Sequence, residues 1–241
     1  MDKMINNSLI FGDIEFGNFG IIEYVRRPYI SPITPRTKEI LGKDGVIHKS
    51  NKLDPLPIEA KIRIFDRCRK NIDKIIHEVM NYLYSQKLRP LNYKNKRVWY
   101  DAILIDVGDP QKFRNEIAYL ELTFLVPSGD GRSEYRRDDF KQITEKKISM
   151  STPRSTRPIF KFNGTQNKIT NMMTGEFIMI ESPTTYNFVI DCEKETVKEK
   201  DLNLIKYLNW KSDFFDIKDG DIIKSTNPID IEFFERYLYD T

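Results

Sequence analysis

Cysteine and histidine are scarce, with two of each in 241 residues. Cys68 and Cys192 stand far apart and form no disulfide framework. With only His48 and His77 beside them, no zinc-ligand set is assembled. No run of about 18 apolar residues occurs, so no segment reads as a membrane-spanning helix. The opening stretch MDKMINNSLIFGDIEFG lacks a basic start, a long apolar region and a small-residue cleavage site, so synthesis in the cytoplasm without a secretory signal is expected. Charge of one sign is also missing. Thirty-nine Lys and Arg against 36 Asp and Glu leave +3, too near balance for a nucleic-acid binder with one basic face.

Catalytic motifs are absent too. The GKDG stretch at 42–45 belongs to no G-x-x-x-x-G-K-[ST] loop and sits where a hairpin turn is expected. No G-x-S-x-G nucleophile elbow appears. Asp216, Asp219 and Asp221 lack the alternating ligands and terminal glutamate of a calcium loop, and read as a solvated turn. No pair of acids is singled out for glycoside hydrolysis. No catalytic residue, metal ligand or cofactor is therefore assigned, and a non-enzyme is expected.

What is present is strand-rich. Hydrophobic residues make up 39% of the chain and aromatics 12%, enough for a packed core. The first 20 or so residues read as short strands or a hairpin around glycines, and 21–25 as a strand. Pro28, Pro32 and Pro35 then stiffen an extended arm that cannot lie mid-sheet. Residues 36–41, the GKDG turn and 46–48 make a hairpin. Residues 56–66 alternate apolar and polar, as a half-buried strand does. Ile72, Ile75, Ile76, Val79, Met80 and Leu83 form the one helical stripe, with Asn71 as N-cap, Met80 in the core and His77 at the surface. Residues 97–107 and 118–126 are strands.

Beyond Pro127 a polar, charged run reads as a connection, and the rest as strands and turns. Residues 159–162 lead to an Asn163-Gly164 hairpin turn, followed by strands at 177–180 and 186–192. Residues 202–208 suit either a short helix or a strand, and 231–239 a closing strand. In the aromatic cluster of Tyr207, Trp210, Phe214 and Phe215, Trp210 and Phe214 are the candidates for stacking on a sugar; core packing is the competing reading. The fold class is mainly β (α+β).

The stretch IIEYVRRPYISPITPRTKEILGKDGVIHKS, followed by NIDKIIHEVMNYLYSQKLRPLNY, RVWYDAIL and YLELTFLVP, resembles the N-terminal domain of siphophage distal tail (Dit) proteins. RPIFKFNGTQNKITNMMTGEFIMIE, NFVIDCEKETV and SDFFDIKDGDIIKS resemble the family's C-terminal galectin-like sandwich. Asp221 departs from the family's usual Asn after the turn glycine.

The resemblance implies a β-sandwich-like domain over 1–130 with one helix and a hairpin arm, a connecting segment over 131–153, and a galectin-like domain over 154–241. It also implies a hexameric ring at the distal end of the tail tube, with N-terminal domains around the channel and C-terminal domains outward. Expected partners are the tube protein, the tail-associated (Tal) protein and receptor-binding proteins, with no membrane and no specific nucleic-acid contact. The expected location is the virion tail tip. Subunit contacts are expected at Arg26, Arg27, Pro28, Pro32, Pro35, Lys43 and Asp44, with the two arginines in intersubunit ion pairs. Truncation of residues 1–35 is expected to leave a folded monomer. The alternative function is a carbohydrate-binding module on host cell-wall glycans.

Overall fold

In the computed structural model, residues 8–39, 46–65, 72–83, 87–94, 96–113 and 117–238 are described. They divide into two units, 1–132 with 238–241, and 133–237. Lys43, Asp44, Cys68 and Asn71 lie outside the described residues.

The first unit carries β1 (Leu9–Phe11), β2 (Ile14–Glu15), β3 (Gly20–Arg26), β4 (Ile33–Glu39), β5 (Val46–Leu53) and β6 (Leu56–Phe65). After α1 (Ile72–Leu83) come β7 (Arg89–Tyr93), β8 (Val98–Val107), β9 (Gln111–Phe113), β10 (Ile117–Val126) and, at the unit boundary, β11 (Gly131–Ser133). The sheet runs β2-β1-β7-β8-β10-β6-β3, with β9 beside β10. Alternation sets the register. Ile58, Ile62 and Ile64 of β6 stand opposite Phe124, Leu120 and Ala118 of β10, so one face of both strands is buried throughout. In α1, Ile72, Ile76, Val79 and Leu83 are buried while His77 is exposed, as the 3.6-residue stripe requires.

Leu9, Phe11, Ile22 and Val25 are core residues, and the Phe11 ring lies 4.9 Å from that of Phe124. Truncating 1–35 would therefore remove three sheet strands and part of the core. The expectation of a folded truncated monomer is corrected on that ground.

The second unit holds β12 (Arg137–Lys147), β13 (Ile159–Asn171), β14 (Phe177–Asp191), β15 (Thr196–Glu199), β16 (Leu202–Asn203), β17 (Ile222–Phe233) and β18 (Arg236–Tyr237). Its sheet has the order β12-β17-β13-β14-β15-β16. The long strands are bulged. β13 shifts register between Gly164 and Gln166 against β14, and β12 shifts at several points against β17. Bulges bend the strands, so the sheet curves around a core that includes Phe160, Phe162, Phe188 and Phe215.

Several sequence-based boundaries change. Residues 131–153 are no connecting segment: β12 pairs along β17, and Phe140, Ile148 and Met150 are buried in the second core. The charged surface of β12, where most residues other than Phe140 are exposed, disguised the strand. Asn163-Gly164 is not a turn but lies inside β13, next to the bulge, and Gly164 has an extended φ of 157°. The chain reverses instead at 172–176, with Gly175 at φ 80°. Residues 177–180 and 186–191 are one strand. Residues 202–208 combine β16 with a 3-10 turn at Ile205–Tyr207. The expected closing strand over 231–239 is divided: β17 runs from Ile222 to Phe233, and Arg236–Tyr237 form the separate β18.

Candidate functional site: the arm, its root and a cationic groove

β4 and β5 form a two-stranded sheet of their own, joined to neither larger sheet. Residues 32–38 are exposed, including Pro32 and Pro35. Pro35 sits opposite Asn51, and a missing amide is tolerated there because both strands of the hairpin are edges. A free two-stranded hairpin is only marginally stable in water, so its root must be held. The Asp54 amide donates to the Pro32 carbonyl over 2.8 Å, and the Thr34 hydroxyl to Asp54 Oδ2 over 2.7 Å. Below them the buried Ser31 hydroxyl donates to the Gly129 carbonyl. Gly129 sits at φ 72°, where a Cβ would come within 2.5 Å of the Asp54 carbonyl oxygen. The stretch read from sequence as part of a connection is therefore the clamp of the arm.

Beside this root, Arg26, Arg27, Lys94 and Lys96 line a groove of about 550 Å³ together with Val25, Tyr29 and Tyr93. Arg27 is held inside the chain. Its Nε donates to the Tyr93 hydroxyl over 2.6 Å, and its Nη1 to the carbonyls of Pro28 and Tyr29 over 3.0 and 2.9 Å. The guanidinium thus fixes the Pro28–Tyr29 backbone against β7. Arg26 is exposed and lies 4.3 Å above the Tyr24 ring. Lys94 adopts φ 56°, in the region L-residues seldom visit, and its amide donates to the Ser8 carbonyl over 2.8 Å. Ser31, Asp54, Gly129, Lys94 and Lys96 were not singled out in the sequence. The SPIT and PSGDG stretches held the only signal, a turn residue that tolerates no side chain.

In the second unit Trp210 is 85% exposed, with Lys211 Nζ 5.1 Å from its ring centroid. Phe214 instead packs on the core and lines a pocket of about 340 Å³ with Arg157, Glu176, Asp216 and others, and Trp210 is not among them. Phe215 is buried, as core packing requires.

The acidic turn is not solvated throughout. Asp221 is buried, with Oδ2 accepting from Asn171 Nδ2 over 2.8 Å and from the Lys218 amide over 3.1 Å. Asp219 Oδ1 accepts from the Met150 amide, and Asp216 pairs with Arg157. These acids tie loops together, each accepting from protein donors, while Asp221 Oδ1 is buried without a partner. Among the described residues no cluster of His, Cys, Asp and Glu suits a metal ion.

The described residues thus form a mainly β chain whose β4-β5 hairpin is clamped at its root and joins neither larger sheet. Residues 15–126 match the phage tail protein RIFT-related domain, and residues 151–237 match the siphovirus-type tail component, C-terminal domain. The chain belongs to the siphophage distal tail protein family. Its fold is similar to that of the SPP1 Dit protein, described as a paradigm of the hub adsorption apparatus in phages infecting Gram-positive hosts, at TM-score 0.78 and 13% identity, covering 96% of this chain and 99% of that one. Chains of the phage P2 baseplate in its activated conformation, with Ca and with Sr, match at TM-scores 0.61 and 0.60, each at 13% identity over 97% of this chain and 99% of that one. No curated protein matches the sequence.

Proposed function

We propose that this protein is the structural hub of a siphophage tail tip, without catalytic activity. Six copies close into a ring at the distal end of the tail tube. The first units surround the channel, and the second units, galectin-like, face outward. The ring joins the tube protein to the tail-associated protein and to receptor-binding proteins at its periphery. The protein is made in the host cytoplasm and ends in the virion.

The observation that carries this reading is the arm. Its ladder edges are open and its residues 32–38 exposed, yet its root is clamped by Ser31, Asp54 and Gly129. A hairpin held in place but unfinished at its edges suits completion by a neighbouring subunit. Pro28, Pro32 and Pro35 reduce the chain entropy lost when it docks. Because the Asp54 amide already bonds the Pro32 carbonyl, residues 33–53 can be replaced by a short glycine linker without pulling on the core. Light-scattering mass and negative-stain images then test the reading. The full chain is expected as annular particles of about six copies, and the arm-deleted chain as a folded monomer. Rings formed by the arm-deleted chain would overturn the role of the arm.

A second reading, a carbohydrate-binding module, is supported by the exposed Trp210. Retention of the protein on purified Gram-positive cell walls, lost in a folded Trp210→Ala variant, would favour it. Equal retention of both proteins would count against it.

A further inference from the structure

The cationic groove has an acidic counterpart on the same unit. Among the described residues no carboxylate ion-pairs with Arg26, Lys94 or Lys96. Arg26 has Glu59 opposite it on the ladder, which leaves Lys94 and Lys96 uncompensated beside Tyr29, itself 72% exposed; together they make a surface complementary to an anionic, partly apolar one.

β8 begins beside this groove, just after Lys96, and runs away from it for ten residues, about 30 Å at the usual strand rise. At its far end the register against β10 breaks. Asp106 pairs with Thr123 and Leu104 with Phe124, so Ile105 is the extra residue of a bulge. Bulges re-aim side chains. Ile105 is turned outward, 54% exposed, and Phe113 on the neighbouring β9 is 59% exposed. Asp106 and Asp109 flank them, both exposed and neither in an ion pair with a described residue. Among the described residues, Asp73 is paired with Lys112 and Glu121 with Lys61.

We propose that the Ile105–Asp109 edge of one copy of this chain docks against Lys94 and Lys96 in the groove of the next. The patches are different and lie at opposite ends of β8, so the contact is heterologous and propagates from copy to copy until rotation closes it. This inference rests on the ring reading and assigns it a second contact, independent of the arm.

Charge reversal tests it on the full-length chain. One variant carries Lys94→Glu and Lys96→Glu, the other Asp106→Lys and Asp109→Lys. Arg26 is left alone because Glu59 is its ladder partner. All four positions are on the surface, and a thermal melt checks that each variant is folded. Each variant alone should fall from the ring mass to the monomer mass, a sixfold drop. Mixed in equal amounts they should form rings again, because a reversed groove then meets a reversed edge in alternation. Assembly of the wild type should also weaken as salt is raised. If folded single variants assemble like the wild type, or the mixture stays monomeric, the pairing is overturned while the ring reading stands. If the wild type itself is monomeric at every concentration, the ring reading falls and takes this contact with it.

Discussion

Gly129 concentrates the geometry of the arm's root in one residue. Its φ of 72° and the 2.5 Å approach of a Cβ to the Asp54 oxygen leave room for no side chain. Gly129→Ala should cost roughly 1–3 kcal/mol, as strained backbone sites do. The same change should raise the rate at which trypsin cuts within 33–53, because the clamp ties down the root of a hairpin that joins neither larger sheet. A urea titration and a timed digest together check it; unchanged cleavage would mean that the clamp does not hold the arm.

Cys192 offers a second residue-level outcome. Burial pushes its thiol up to about 12, so almost no thiolate exists near neutrality. Mass spectrometry of the Cys192 peptide should find no alkylation of the native protein at pH 8 and full alkylation in urea.

Glu235 is the third. Burial opposes its ionisation, but donors from Ser151, Arg137 and Tyr237 outweigh that and hold its carboxyl below the ordinary range. A depressed folded value stabilises the protein above the ordinary carboxylate range, and this is lost as pH falls through the folded value. Glu235→Gln should therefore lower stability by roughly 1–3 kcal/mol at pH 7 and by much less at pH 3. Equal melting shifts at both pH values would show that the charge is not what matters.

Among the elements, those whose periodicity is set by a buried face were legible. The alternation of β6 and the stripe of α1 come from the same residues that fill the core, Ile58 to Ile64 and Ile72 to Leu83. The hairpin arm was legible from its glycine-bracketed turn, although pairing starts earlier, at Ile33. Where local and tertiary signals conflict, reading failed. Asn163-Gly164 is a strong turn pair in isolation, yet Phe160 and Phe162 on one side and Ile169 on the other share one core, so the strand passes through with a bulge. The site was legible only in part. Prolines announced the arm, but its clamp joins Ser31 to Gly129, a contact across 98 positions that no local pattern encodes. Lys94 and Lys96 looked like ordinary surface lysines because the lack of an ion-pair partner among the described residues shows only in the folded chain.

At the scale of the whole molecule, the position of the domain boundary decides what can fold alone. The second unit begins at Ser133, whose amide donates to the Glu235 carbonyl over 2.9 Å and whose hydroxyl accepts from the Glu235 amide over 3.2 Å. The two ends of the unit are thereby zipped together. A fragment of residues 133–237 keeps this closure, all of β12 and the complete second core, and should unfold in one cooperative transition. The boundary expected from sequence gives a fragment of residues 154–241 instead. That piece lacks β12, leaves the edge of β17 unpaired and removes Phe140, Ile148 and Met150 from the core, with the Phe140 ring that lies 5.8 Å from Phe233. Each buried side chain of this size contributes about 1.5–3 kcal/mol, so three of them come to about 5–9 kcal/mol. Whole domains are stable by only about 5–15 kcal/mol. The shorter fragment should therefore be unfolded or aggregated under conditions where the longer one is folded. Circular dichroism melts of both pieces compare them directly. A cooperative melt of 154–241 at the same temperature as 133–237 would show that β12 is an ornament on the second unit and return the boundary to where the sequence first suggested it.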